Sequence, residues 1–344
     1  MTHEELATAT QRIVREIGRG EVSRFDRLVG GRNHQVYRVE TERGRVFLKH
    51  YHYDPGDSRD RMAAEFAFSA FAWGTGIRCV AEPLAADQLL RLGLFDFVPG
   101  RRLHAGDAGE LEVEQALAFF ASLNEQRSSP LAAALPFAAE ACFTSGDHLE
   151  LIEARVERLR RAASEGLLDA DVAAFVVESL VPRWEQVCAA SGEPLRALPG
   201  SGAPLAGDER CLSPSDFGFH NALRREDGSL VFHDFEHAGW DDPAKTICDF
   251  FCQPEVPVDP ALWGRFVRGV DAAVGAPTAL EERARLLLDP YRIKWACIAL
   301  NEALPEGRRR RTFSLGSVDA ERMRAQLARA AGFVEAVGQL SRLR

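Results

Sequence analysis

The chain has 344 residues, 46% of them hydrophobic and 27% charged, with a formal net charge of −9. That balance predicts a globular protein of two or three lobes with a sizeable core, and it argues against a polyanion such as nucleic acid as the main partner. Seven cysteines (Cys79, Cys142, Cys188, Cys211, Cys248, Cys252 and Cys297) are odd in number and scattered, which excludes a disulfide scaffold; no apolar run reaches signal-peptide or membrane-spanning character, so a cytoplasmic setting and no membrane partner are expected.

Residues 1–18 read as a helix. The stretch "FDRLVGGRNHQVYRVETERGRVFLKHYHY" then reads as three strands parted by a glycine turn and an "ERG" turn, a small antiparallel sheet. A helix is expected at about 59–73, where Met62, Phe66, Ser69 and Trp73 recur at helical spacing, followed by a strand, "GLFDFVPGRRL", that ends in a Pro-Gly turn. From Leu111 onward most segments carry an apolar face at helical period. The layout is α+β: a sheet-rich lobe over 1–98 and a larger helical lobe over 99–344. Cys248 and Cys252 share a helix face, but without a second pair they read as core packing and not as a metal site.

The helical region is interrupted by "SPSDFGFHNALRREDGSLVFHDFEHAGWDDP", residues 213–243. Asp216 and Asn221 stand at the D-x-x-x-x-N spacing of a phosphotransfer loop, in which the Asp accepts the substrate hydroxyl proton and the Asn holds Mg²⁺. Taken alone, the pair also suits an ordinary turn. The sequel weighs against that, because "ALRRE", the "DGS" turn and "LVFHDFE" form a hairpin that returns Asp234 beside Asn221 as a second magnesium ligand. Upstream, Gly30 and Gly31 offer a turn that phosphate can approach. Lys49, alone in the apolar strand "VFLKHY", is either an edge-strand guard or a phosphate ligand. Glu65 is either a solvated helix residue or the partner of Lys49.

These residues, in this order, resemble the aminoglycoside phosphotransferase/choline kinase family, the small-molecule branch of the protein-kinase-like fold. The resemblance runs over roughly residues 20–300. It implies a bilobal fold, Lys49 on the α- and β-phosphates of ATP with Glu65 as its partner, Asp216 as base, Asn221 and Asp234 on Mg²⁺, and adenine held by the backbone of the hinge Asp96–Val98. Two departures stand out. The family's His two residues before the catalytic Asp is Pro214 here, so support for the loop must come from elsewhere. Where the family places a further Asp after its Asp-Pro pair, this chain offers Thr246 and, three residues later, Asp249.

No long activation segment or A-P-E motif separates Asp234 from the helix at Pro243, which disfavours a protein substrate. The expected function is ATP- and Mg²⁺-dependent phosphorylation of a hydroxyl on a small molecule, whether sugar, amino alcohol or aminoglycoside-like, with the acceptor pocket built near Asp147 and Tyr291–Asn301. The alternatives are a pseudokinase-like nucleotide-binding module, suggested by Pro214, and a metal-dependent hydrolase built on the Asp/His cluster. His220, His233 and His237 read as structural residues, Asp241 and Asp242 as a helix N-cap, and Arg308–Arg311 as a solvated loop between helices.

Overall fold

The computed structural model describes residues 2–28, 34–53, 59–275, 279–315 and 320–339, leaving aside the side chains of Ser314 and Leu315. Helix α1 (His3–Glu16) starts at a capping box in which the Thr2 hydroxyl accepts from Glu5 N and the Glu5 carboxylate accepts from Thr2 N. Its buried stripe, Leu6, Ile13 and Val14, covers one face of a five-stranded antiparallel sheet. The strands are β1 (Val22–Arg27), β2 (His34–Thr41), β3 (Gly44–Tyr51), β4 (Pro83–Asp87) and β5 (Leu92–Asp96), in the order β1-β2-β3-β5-β4. Strand β3 is central, with Lys49 opposite Val36 on one side and Gly93 on the other. Alternation sends Val46 and Leu48 into the α1 side and Lys49 and Tyr51 to the opposite face. Lys49 therefore guards no edge.

Helix α2 (Arg61–Gly74), capped by Asp60 on Ala63 N, spans the junction. Glu65 is buried against the sheet, while Phe68 and Phe71 belong to the core of the larger lobe, where the Phe68 ring lies 5.1 Å from that of Phe235. One helix thus fixes the sheet to the segment that carries Asp234. Strand β4 is an addition to the expected layout: Pro, two Ala and an Asp give it no strand pattern, and it forms because β5 offers an edge to pair with.

After β5 come β6 (Arg101–Arg102), α3 (Glu110–Glu125), α4 (Pro130–Ala133) and α5 (Ser145–Ser164). Next come α6 (Ala170–Phe175) and α7 (Val181–Ala197), joined by a π-helical turn, Val176–Leu180, that keeps the helical path unbroken. The short strands β7 (Cys211–Ser213), β8 (Ala222–Arg224), β9 (Leu230–Phe232) and β10 (Gly239–Asp241) follow, with β8–β9 as the expected hairpin, β6 alongside it, and β7 paired to β10. Helices α8 (Pro243–Cys252), α9 (Trp263–Val274), α10 (Leu280–Ala299), α11 (Pro305–Leu315) and α12 (Ala320–Ala336) complete the chain. Aromatic stacking anchors this lobe's core, Phe119 on Phe232 at 4.7 Å and Phe250 on Phe266 at 4.1 Å between centroids.

The architecture is the α+β bilobal one expected. One local reading changes. Arg308–Arg311 form no loop: they lie within α11, where buried Arg311 pairs with Glu302 and Arg308 with Asp169. A run of four arginines masks helical periodicity, and Pro305 at the start supplies the helix onset. In the region of the expected acceptor pocket, the Tyr291 hydroxyl is buried against His148 Nδ1 at 2.8 Å, and Asp147 accepts from Phe143 N and Thr144 N at the start of α5. Among the described residues no helix is long and apolar enough to cross a membrane.

Candidate active site

Lys49 Nζ lies 2.6 Å from Glu65 Oε2 and 2.6 Å from Asp234 Oδ1, so β3, α2 and the segment after β9 converge on one ammonium. Tyr51, two residues along the same face of β3, donates to Glu65 Oε2 at 2.7 Å. Burial works against the charge on Lys49, but Asp234 and Glu65 outweigh it and hold the lysine protonated, above its ordinary pKa. Burial raises the Glu65 carboxyl, opposed by Lys49, whereas Asp234 is lowered because Lys49 outweighs its burial. One cation between two carboxylates cannot fully satisfy both, and Glu65 is the one left with the raised value.

Asp234 reaches this position through the hairpin, in which Ala222 pairs with Phe232 and His233 N donates to Asn221 O at 3.0 Å. Asn221 in turn ties the loop closed: its Nδ2 donates to Asp216 O at 3.0 Å and to Asp216 Oδ2 at 3.3 Å. Asn221 is thus bonded to Asp216 within the loop, and the hairpin brings the chain just before Asp234 against Asn221. The local backbone is strained, with left-handed φ at Ser215 (50°), Asp216 (28°) and Asp234 (69°). Each such residue costs about 1–3 kcal/mol and persists only where its surroundings fix it. Here Ser213 Oγ accepts from Ser215 N at 3.0 Å and from Thr246 Oγ1 at 2.8 Å, and this provides backbone support in a loop where Pro214 offers no side-chain donor.

The remaining residues sort by contact. Asp242 caps α8, accepting from Ala244 N at 2.7 Å, and Asp241 is buried in a pair with Lys245. Asp249 accepts from Lys294 Nζ and Trp295 Nε1, tying α8 to α10; Thr246, not Asp249, reaches the loop. At the hinge, Asp96 N donates to Glu82 O and Phe97 N to Arg45 O, while no hydrogen bond to Val98 N occurs among the described residues. The Asp96 side chain points elsewhere, to Arg19 at 3.1 Å. Gly30 and Gly31 lie outside the described residues.

Sequence reasoning missed Glu236. It is buried, bonded to His34 of β2, and 3.2 Å from both Arg61 NH1 and His237 Nε2. Burial alone would raise its pKa, but His34 and His237 hold it well below the usual carboxylate range. Ligand atoms of His34, Asp234 and Glu236 all lie within 4.8 Å of one another. The only signal in "HDFE" was a second acid two residues after Asp234; the segment lies past the end of β9, with Asp234 left-handed and Glu236 in a turn, so no strand alternation marks it.

This donor set suits a hard divalent cation: two ionised carboxylates, and an Asn221 amide whose Nδ2 is committed to Asp216 while its Oδ1 has no hydrogen bond among the described residues. A helix-backed antiparallel sheet set on a helical lobe, with a Lys–Glu pair above and an Asp-x-x-x-x-Asn loop below, defines the protein-kinase-like class. Within that class, the profile of the phosphotransferase enzyme family matches residues 25–288, and the chain belongs to that family. No curated protein sequence matches significantly. Among solved structures, spectinomycin phosphotransferase, determined with ADP and spectinomycin, aligns with a TM-score of 0.62 at 11% identity over 97% of this chain and 99% of that one. Choline kinase from Cryptosporidium parvum Iowa II aligns at 0.59 and 12% identity, covering 99% and 98%. A choline/ethanolamine kinase family protein from Mesorhizobium loti aligns at 0.57 and 17% identity, covering 100% and 98%. At these identities the likeness is one of fold.

Proposed function

We propose that the protein is a small-molecule kinase that transfers the γ-phosphoryl group of ATP to a hydroxyl. The observation that carries this reading is Lys49 Nζ held at 2.6 Å from both Glu65 and Asp234, across the junction between the lobes. Nucleotide would lie between a lobe of residues 1–98 and one of 99–344, adenine meeting the N–H of Val98 and Lys49 meeting the α- and β-phosphates. Asn221 and Asp234, with Glu236 close by, would hold Mg²⁺, which offsets the phosphate charge. Asp216 would accept the proton of the acceptor hydroxyl, with Asn221 fixing its orientation. The residues contribute mainly positioning and charge, the form catalysis takes in phosphoryl transfer.

A binding module without transfer activity would have no need of strain concentrated at Ser215, Asp216 and Asp234, the three loop positions around the proposed chemistry. The test is a phosphate-transfer screen over sugars, amino alcohols, nucleosides and aminocyclitols with MgATP, read as nucleotide consumed. Acceptor-dependent ADP release that disappears in Asp216→Asn supports the reading. Nucleotide binding with no transfer to any acceptor and no slow hydrolysis would move the protein to the binding-module class.

A further inference from the structure

The proposed base leaves a question that the loop itself answers: what holds the carboxylate of Asp216? Ser213 and Thr246 secure the backbone before it, and Asn221 Nδ2 reaches Oδ2. The other oxygen, Oδ1, faces His220, whose Nε2 lies 3.3 Å away while the imidazole itself is 9% exposed. His220 Nδ1 is buried with no hydrogen-bond partner among the described residues, which suits the tautomer that carries its proton on Nε2, the nitrogen beside Asp216.

This arrangement depends on an absent side chain. Residue 218 is glycine, yet its φ of 171° is extended backbone that any residue adopts, so the dihedral does not call for glycine. Space does. A Cβ at 218 would sit 2.9 Å from His220 Nδ1 and 2.8 Å from Gln253 Cγ. The glycine is what lets the imidazole fold back over the loop, between Gln253 and Asp216.

We propose that His220 is the positioning residue of the base: it clamps Asp216 Oδ1 from the downstream side of the loop, as Asn221 holds Oδ2, and so fixes the carboxylate plane toward the acceptor hydroxyl. It fills a place left without a side-chain donor by Pro214. The inference rests on the reading of Asp216 as base. It assigns His220 no contact with substrate or nucleotide.

The experiment compares wild type, His220→Leu, His220→Gln, Asp216→Asn and the double variant His220→Leu/Asp216→Asn. Each is assayed with MgATP and the best acceptor from the screen or, failing one, by MgATP hydrolysis, with thermal unfolding alongside. His220→Leu is expected to lower kcat about 10–100-fold with the KM for ATP within about 2-fold of wild type. His220→Gln, whose Nε2 still donates, recovers most of that loss. The double variant is no slower than Asp216→Asn alone, because a clamp without its carboxylate has nothing to position. Independently of turnover, a long-range ¹H–¹⁵N spectrum is expected to show the His220 ring as the Nε2–H tautomer in wild type and to shift in Asp216→Asn. Full activity in His220→Leu while Asp216→Asn is dead overturns the clamp and leaves the base reading intact. Losses that add in the double variant, or a Gln variant as slow as the Leu variant at an unchanged Tm, overturn it equally. Turnover retained in Asp216→Asn removes the base reading, and the clamp with it.

Discussion

At the scale of single residues, the two aspartates are set apart by what touches them. Asp216 is held by Asn221 of its own loop, and its side chain is 37% exposed; Asp234 is locked to Lys49 at 2.6 Å. Their substitutions should therefore fail differently. Asp216→Asn is expected to lower kcat by at least about 10²-fold with nucleotide affinity within about 3-fold of wild type, as measured by steady-state kinetics and calorimetry. Lys49→Ala should reduce kcat/KM and also destabilise the fold, because it leaves Glu65, which is 3% exposed, without its cation. Breaking such a buried pair costs about 3–5 kcal/mol, readable in chemical denaturation. An unchanged denaturation midpoint would show that Glu65 finds another partner, with Tyr51 the nearest, its hydroxyl 2.7 Å away.

At the scale of elements, legibility in the sequence followed the source of each element's order. The strands β2 and β3, α2 and the β8–β9 hairpin carry their own periodicity or turn, and they are the elements that position Lys49, Glu65, Asn221 and Asp234. What escaped was fixed by partners outside the element itself: β4 by the edge of β5 just downstream, α11 by Glu302 beneath Arg311, and the His34–Glu236 bond by residues 202 positions apart. The same holds for the knot joining α5, α8 and α10, where His148 Nε2 lies 3.1 Å from Asp242 Oδ2 and its Nδ1 meets Tyr291. Burial pushes this histidine down, but Cys142 and Asp242 outweigh it and raise its pKa from 6.5 to about 10. A raised folded value means that the stabilisation is complete below about pH 6.5 and is lost as the pH climbs toward about 10. Unfolding free energy measured over that window should fall, and His148→Gln should be less stable at pH 6 with a flatter profile. A parallel profile in the variant would place the titration elsewhere.

At the scale of the whole molecule, the lobes meet through charge as well as through the apolar contact of α2 with the helical lobe's core. Lys49 to Asp234, His34 to Glu236, and Arg59 to the carbonyls of Glu236 and Ala238 all cross from the sheet side to one short segment of the helical lobe. The apolar part of this seam holds the lobes at any ionic state of the cleft, while the charged part responds to whatever charge enters it. A bare triphosphate entering here meets Asp216, Asp234 and Glu236 in a protein of net charge −9, with Lys49 already held by two carboxylates. Metal-free ATP should consequently bind at least about 10-fold more weakly than MgATP, a difference of about 1.4 kcal/mol or more. Asp234→Ala removes one of the repelling carboxylates and releases Lys49 from it, so the variant should bind ATP in EDTA more tightly than wild type does while losing most of the gain that magnesium brings. Calorimetric titration of both proteins with ATP, with and without magnesium, reads the two effects separately. If Asp234→Ala weakened metal-free and magnesium-bound ATP alike, Asp234 would be holding the cleft in shape and not exchanging its ammonium for a metal.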